Sequence, residues 1–167
     1  EKTDGQELIA AVDCTGHGVP GALMSVIGYN WLVQGVRRED IKTPGQLLSY
    51  LDEGVNETLR QTADESGVKD SMDLAVCSID PKTNTVMYAG AYNPCYYVHK
   101  GELHEIKADK LPIGVNVDGV VDIYTDHSIK LDKGDNVYIF SDGYADQFGG
   151  PKGKKFKYRQ LKEKIMS

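Results

Sequence analysis

Leu8-Ile9-Ala10-Ala11-Val12-Asp13-Cys14-Thr15-Gly16-His17-Gly18 is the stretch that decides how this chain is read. A short apolar run of strand character ends on a carboxylate, and glycines follow within three residues. The same arrangement returns at Val137-Tyr138-Ile139-Phe140-Ser141-Asp142-Gly143. A strand fixes an acidic side chain at its tip, and a neighbouring glycine lets backbone and ligand approach closely, which suits a divalent cation. Taken singly, either acid reads as a turn former. Two of them, about 130 residues apart, predict strand ends that meet at one metal site.

Outward from these tips the pattern predicts two helices followed by a run of short strands. Pro20 suits a first helical turn, giving a helix over 20–38. Thr43-Pro44 caps and starts a second helix to about residue 62, with Leu47, Leu48, Leu51, Val55 and Leu59 on one face. A polar loop over 63–70 precedes strands over 72–79, 85–91, 95–99 and 102–106. Pro81-Lys82-Thr83-Asn84 and Lys100-Gly101 make the turns. After a loop over 107–119, two more strands near 121–129 and 136–140 flank Lys133-Gly134-Asp135. A basic segment over 151–164 ends in a helix. At the start, Asp4-Gly5 reads as a hairpin tip leading into a strand over 7–12. The first residues supply no preceding strand, so the chain is expected to begin inside a domain. The whole reads as α+β, with helices covering an antiparallel sheet.

The 167 residues fit one domain with a real core. Their net charge of −6, from 25 acidic and 19 basic residues, argues against a nucleic-acid-binding surface over the whole domain. Cys14, Cys77 and Cys95 are odd in number and form no CxxC pair, which excludes a disulfide framework and a zinc site and fits a reducing compartment. The longest apolar stretch, residues 19–36, is broken by Gly28, Asn30 and Gln34. It reads as a buried helix, with no membrane contact by this domain, and a cytoplasmic location is expected.

Five segments occur in order: 13–22 (DCTGHGVPGA), 72–75 (MDLA), 88–94 (YAGAYNP), 111–114 (LPIG) and 140–147 (FSDGYADQ). Together they resemble the phosphatase domain of bacterial stage-II sporulation protein E and its sigma-factor-regulating relatives. That group is a branch of the metal-dependent (PPM) serine/threonine protein phosphatases. The resemblance covers residues 8 to about 156. It implies an antiparallel β-sandwich flanked by helices, with two Mn²⁺ or Mg²⁺ ions, and a third in some members, at one edge. It implies that Asp13 bridges the ions, that the backbone carbonyl of Cys14 (less readily that of Gly16) adds a ligand, and that Asp142 holds the other ion. Asp70 resembles the accessory-metal aspartate, with Asp73 competing for that part. The chemistry is consistent: hard oxygen ligands suit Mg²⁺ and Mn²⁺, and a metal pair neutralises phosphate and activates water.

His17, four residues after Asp13, reads either as a solvent-exposed turn histidine or as a general acid for the leaving seryl or threonyl oxygen. Asp146 and Gln147 read as polar loop. The resemblance places them in a segment that shapes metal binding, with Asp146 a further candidate ligand. Lys152, Lys154, Lys155, Lys157 and Arg159 read as a solvated basic face or as a contact for a phosphoprotein. Other hydrolase chemistries fail on spacing. Position 20 is Pro where a Cys-x5-Arg phosphate loop beginning at Cys14 needs arginine, there is no Gly-x-Ser-x-Gly elbow, and Thr15 stands where a phosphoaspartate enzyme needs a second acid.

The family pattern also has a first strand carrying a Gly-Asp pair and a closing strand with an Asp-Asp or Asp-Asn pair, both expected to lie outside these residues. The exposed sheet edge left behind invites homodimer formation. Two functions follow. One is an enzyme that dephosphorylates phosphoserine or phosphothreonine on a bacterial regulatory protein, such as an anti-sigma-factor antagonist, under control of an upstream sensor domain in the same chain. The other is a pseudophosphatase that binds a partner without catalysis.

Overall fold

The structure, a computed structural model, describes residues 2–3, 5–59, 70–115, 120–151 and 153–167. In chain order its elements are β1 (Lys2–Thr3), β2 (Gln6–Cys14), α1 (Gly18–Val36), α2 (Pro44–Leu59), β3 (Met72–Asp80), β4 (Thr85–Ala91) and β5 (Cys95–His99). There follow β6 (Glu102–Ile106), β7 (His127–Lys130), β8 (Asn136–Ile139), β9 (Phe148–Gly149), β10 (Lys154–Lys155) and α3 (Lys157–Ile165).

Among the described residues, the pairings between these strands are antiparallel. One sheet has the order β1-β2-β3-β4-β7, another β6-β5-β8, and β9 and β10 form a separate hairpin. Alternation along β3 shows how the layers stack. Leu74 and Val76 join Met24, Leu47, Leu48, Leu51 and Val55 in a core under the two long helices. Ala75 and Cys77 point the other way and join Val86, Tyr88, Cys95 and Ile129 in a second core between the sheets. The far face of the small sheet is covered by α3, where Lys162 Nζ sits 5.1 Å from the Tyr96 ring centroid and Tyr158 packs 6.2 Å from Phe140. The architecture is therefore α-β-β-α, the helix-flanked sandwich that the sequence reading anticipates.

Local chemistry accounts for the element boundaries. Thr43 Oγ1 accepts a hydrogen bond from Gln46 N at 3.2 Å, while Gln46 Oε1 accepts from Lys42 N at 2.7 Å and Thr43 N at 3.2 Å. This capping box, with Pro44 in the first turn, starts α2 where the sequence places it. The two long helices approach closely because Gly54 lacks a side chain. The Trp31 ring fills the space its Cβ would need, and Trp31 Nε1 donates to Thr58 Oγ1 at 3.0 Å. Lys100 and Gly101 both take positive φ, 51° and 80°, the requirement of a two-residue primed hairpin turn between β5 and β6.

Five expectations need correction. The apolar stretch 19–36, read as a buried helix, buries only Met24, Gly28 and Gly35 and leaves Val19, Leu23, Val26 and Tyr29 exposed. The first helix begins at Gly18 and ends at Val36 rather than spanning 20–38. A partner strand does precede the first hairpin turn: Lys2 pairs with Glu7 and Thr3 with Gln6. The strand expected near 121–129 shortens to His127–Lys130. Its first part is drawn toward other groups: Ser49 Oγ donates to Asp122 O at 2.7 Å, Gly45 N to Asp126 Oδ1 at 2.7 Å, and Thr125 N to Asp109 Oδ2 at 2.7 Å. The β9–β10 hairpin lies where the sequence reading has no strand, since two-residue strands carry no periodicity. The end of the second helix beyond residue 59, the polar loop over 63–69, the hairpin-tip Asp4 and Lys152 fall outside the described residues.

Asp52 is fully buried on α2. Its Oδ1 accepts from Gly114 N at 2.8 Å and from Asn56 Nδ2 at 3.0 Å, while Oδ2 has no hydrogen bond of good geometry. Burial pushes this carboxyl above its ordinary value, with Gly114 N pulling the other way. The protonated form is thus favoured in the folded state, and the stability it contributes below the unfolded value is lost as pH rises through the folded one. Asp52→Asn should therefore gain on the parent as pH rises above the ordinary carboxylate value of about 4. Urea melts across that range test this, and a pH-independent difference would contradict it. Gly54→Ala should cost about 1–3 kcal/mol by overpacking against Trp31, read as a lower urea midpoint at unchanged slope. An unchanged midpoint would show that the helices can separate without cost.

Candidate metal centre

The ladder between β2 and β3 sets Asp13 directly opposite Asp73. Asp73 shares its face of β3 with Ala75 and Cys77, so both carboxylates sit at the mouth of the sandwich, on the side of the small sheet. The pairing is closed off by Thr15 and Ser71: Thr15 N donates to Ser71 O at 2.9 Å, and Ser71 N to Thr15 Oγ1 at 2.8 Å. From the other side, Met72 and Ile113 exchange two backbone hydrogen bonds, each 3.0 Å. These bonds fix the ends of both strands, and with them the acids.

Asp142 arrives from the small sheet, three residues beyond β8, in a turn closed by Asp146 N donating to Asp142 O at 2.9 Å. The two strand-tip acids of the sequence meet: the Asp13 carboxylate lies within hydrogen-bonding reach of Asp142. Partial burial, then the charges of Asp13 and Asp146, push the Asp142 carboxyl upward, and Lys155 offsets this in part. Burial, then Asp13 and Asp142, push Asp73 upward as well. Mutual repulsion among carboxylates at a partly desolvated mouth is the physical cause.

The remaining sequence candidates surround this cluster. Asp146 pairs with Lys155 Nζ at 2.6 Å. Asp70 precedes β3, next to the Thr15–Ser71 exchange, with its carbonyl facing Gly114. Cys14 closes β2, and its thiol accepts from Ser25 Oγ at 3.7 Å. His17 is exposed at the N-cap of α1, makes no side-chain cap, and lines a hollow of about 480 Å³ shared with Asp13, Val12, Tyr29 and Leu32. Gly16 takes φ of +86°, and a Cβ on Gly21 would sit 2.9 Å from the Gly16 carbonyl, so the loop after Asp13 folds tightly onto α1 only because both are glycines.

Asp73 is the member that sequence reasoning ranked behind Asp70. An acid one residue inside the core-forming run Met72-Asp73-Leu74-Ala75 was the available signal, since a charge in a doubly covered strand needs a reason. Among the described residues, His99, Asp132 and Asp135 are the group of three that brings one ligand atom each within 4.8 Å of one another, a spacing that Asp13, Asp73 and Asp142 do not all share. They lie at the opposite end of the small sheet and are internally satisfied. Asp135 Oδ2 accepts from Asp132 N at 2.7 Å and meets His99 Nδ1 at 2.6 Å, while Lys100 lies 3.9 Å from Asp132. That group caps a turn.

The Asp13, Asp73 and Asp142 donor set is all carboxylate oxygen, which fits a hard divalent cation such as Mg²⁺ or Mn²⁺ and not a thiolate-seeking metal. Among solved structures the chain is similar to the PP2C domain of SiaA from Pseudomonas aeruginosa, with a TM-score of 0.82 and 26% identity. That match covers 99% of this chain and 63% of that one. It is also similar to the PP2C phosphatase domain of SpoIIE from Bacillus subtilis, with a TM-score of 0.68 and 18% identity over 97% of this chain and 44% of that one. A serine/threonine phosphatase of S. agalactiae shares the fold at a TM-score of 0.61 and 15% identity, over 99% of this chain and 81% of that one. The chain thus spans less than two thirds of the first two structures. No curated protein matches it. With residues 3–166 matching the model for stage II sporulation protein E, the chain belongs to the SpoIIE family and carries the fold of PP2C-type phosphatase domains.

Proposed function

We propose that this domain is a Mn²⁺- or Mg²⁺-dependent phosphatase acting on phosphoserine or phosphothreonine of a bacterial regulatory protein, with an anti-sigma-factor antagonist the type of substrate the family favours. The observation that carries this reading is the convergence of Asp13, Asp73 and Asp142 from two sheets onto one mouth, where their charges oppose one another. Three carboxylates gathered at one mouth, with Lys155 offsetting only part of their repulsion, favour a site that holds metal.

In this reading Asp13, Asp73 and Asp142, with the backbone carbonyl of Cys14, would hold the divalent cations. Asp73 takes the place first assigned to Asp70, and Asp146, tied to Lys155, tunes Asp142 as a neighbour. When bound, the ions neutralise the phosphate and lower the pKa of water. The protein's own part is positioning. Antiparallel pairing fixes Asp13 against Asp73, and the turn closed by Asp146 N presents Asp142. His17, exposed beside Asp13, protonates the departing seryl or threonyl oxygen. An upstream sensor in the same protein would control access to the site.

Turnover of p-nitrophenyl phosphate should require Mn²⁺ or Mg²⁺ and vanish with a chelator. Asp142→Asn should lower it at limiting metal by on the order of a hundredfold or more, because the amide keeps the shape but not the charge. Full turnover of that variant at low metal would refute the assignment. A metal titration of Asp73→Asn beside Asp70→Asn separates the two candidates. The larger rise in metal requirement is expected for Asp73→Asn, and the reverse order would return the role to Asp70.

A further inference from the structure

The strongest feature that the metal chemistry leaves unused is the β9–β10 hairpin. Gly149 pairs with Lys154 and Phe148 with Lys155. The hairpin is bound to the Asp142 loop by three contacts: Phe156 N donates to Gln147 O at 2.9 Å, Lys157 N to Ala145 O at 2.6 Å, and Lys155 Nζ meets Asp146 at 2.6 Å. Its position relative to the carboxylate cluster is therefore set by main-chain bonds. Beside the cluster it forms a hollow of about 550 Å³ lined by Tyr144, Gln147, Phe148, Lys154, Lys155 and Phe156.

Two properties distinguish this surface. The first is exposed aromatic area: Phe148 is 76% exposed and Tyr144 50%, the latter held edge-to-face against Phe156. Exposed aromatics grouped on one rim mark contact surfaces more often than isolated ones do. The second is charge segregation. Residues 147–167 carry seven basic side chains against Glu163 alone, a net +6, which leaves −12 on residues 1–146. Arg159 is answered by Glu163, Lys162 by Glu105 and Lys155 by Asp146. Among the described residues, Lys154 and Lys157 have no ion-pair partner. A basic, aromatic rim directly beside an acidic cluster on an acidic domain is complementary to an extended anionic polypeptide.

We propose that the β9–β10 hairpin is the substrate-docking surface, and that it takes a polypeptide segment with acidic residues flanking the phosphorylated serine or threonine and an apolar side chain against Phe148 and Tyr144. This rests on the phosphatase reading above. Lys154 supplies the charge recognition and the aromatic rim the sequence-tolerant contact, while the phosphate itself goes to the carboxylate-held metal.

The test uses two phosphopeptides that differ only in whether Asp/Glu or Gln flank the phosphoresidue, assayed with Mn²⁺ on the protein, Lys154→Glu and Phe148→Ala. The acidic peptide should have the higher kcat/KM, by about 3–10-fold at low salt, shrinking as salt is raised. Lys154→Glu should abolish that preference through KM while leaving p-nitrophenyl phosphate turnover unchanged. Phe148→Ala should raise KM for both peptides. Equal kcat/KM for the two peptides, or a Lys154→Glu effect of equal size on p-nitrophenyl phosphate, would overturn the proposal. If p-nitrophenyl phosphate were not turned over at all, the phosphatase reading would fail instead. Fluorescence anisotropy of the labelled peptides would then still decide the hairpin, with tighter binding of the acidic peptide lost in Lys154→Glu as the expected result. Lys154-dependent binding to phosphatidylserine vesicles without any peptide preference would assign the surface to a membrane and refute it.

Discussion

Two like charges directly opposite each other on paired strands destabilise a sheet, yet the register of β2 on β3 holds Asp13 against Asp73, and Asp142 is brought from the other sheet to join them. The register has no freedom to relieve this. A slip by one residue would move Leu74 and Val76 out of the core under the helices and Ala75 and Cys77 out of the core between the sheets. Two hydrophobic cores thus hold an electrostatically unfavourable cluster in place. A divalent cation bound there would turn that liability into a function, since it would convert repulsion among the acids into attraction toward a common ion.

The frame around the cluster is arranged to keep it rigid from behind. Asp52 on α2 holds the backbone of Gly114, Ile113 beside it exchanges two hydrogen bonds with Met72, and Met72 adjoins Asp73. On the other strand, Thr15 locks Ser71. A chain of short-range contacts therefore runs from the second helix through the Leu-Pro-Ile-Gly loop to the strand that carries Asp73. The buried Oδ2 of Asp52 and the buried hydroxyl of Tyr124, both without a hydrogen bond of good geometry, lie in the same seam. That region is held at a cost in polar satisfaction.

Much of this was legible in the residues. Strands over 85–91, 95–99 and 102–106 were legible from short runs with apolar residues, bounded by turn residues Asn84, Lys100 and Gly101, and they stand where the pattern puts them. The start of α2 was legible because Thr43, Pro44 and Gln46 encode a capping box. The meeting of Asp13 and Asp142 followed from matched strand-tip motifs. What was not legible was pairing register: nothing local in the sequence says that residue 13 faces residue 73, so Asp70 and Asp73 stayed in competition. The shortened β7 was hidden for a related reason, because Ser49, Gly45 and Asp109 capture residues 122–126 from a distance. The β9–β10 hairpin is too short to carry any periodicity.

Anomalous scattering from crystals of the protein soaked in Mn²⁺ tests the central claim most directly. The account places the strongest manganese peak between the carboxylates of Asp13, Asp73 and Asp142, with loss of that peak in Asp142→Asn. A dominant peak at His99, Asp132 and Asp135, or no peak at the sandwich mouth at saturating Mn²⁺, would contradict it.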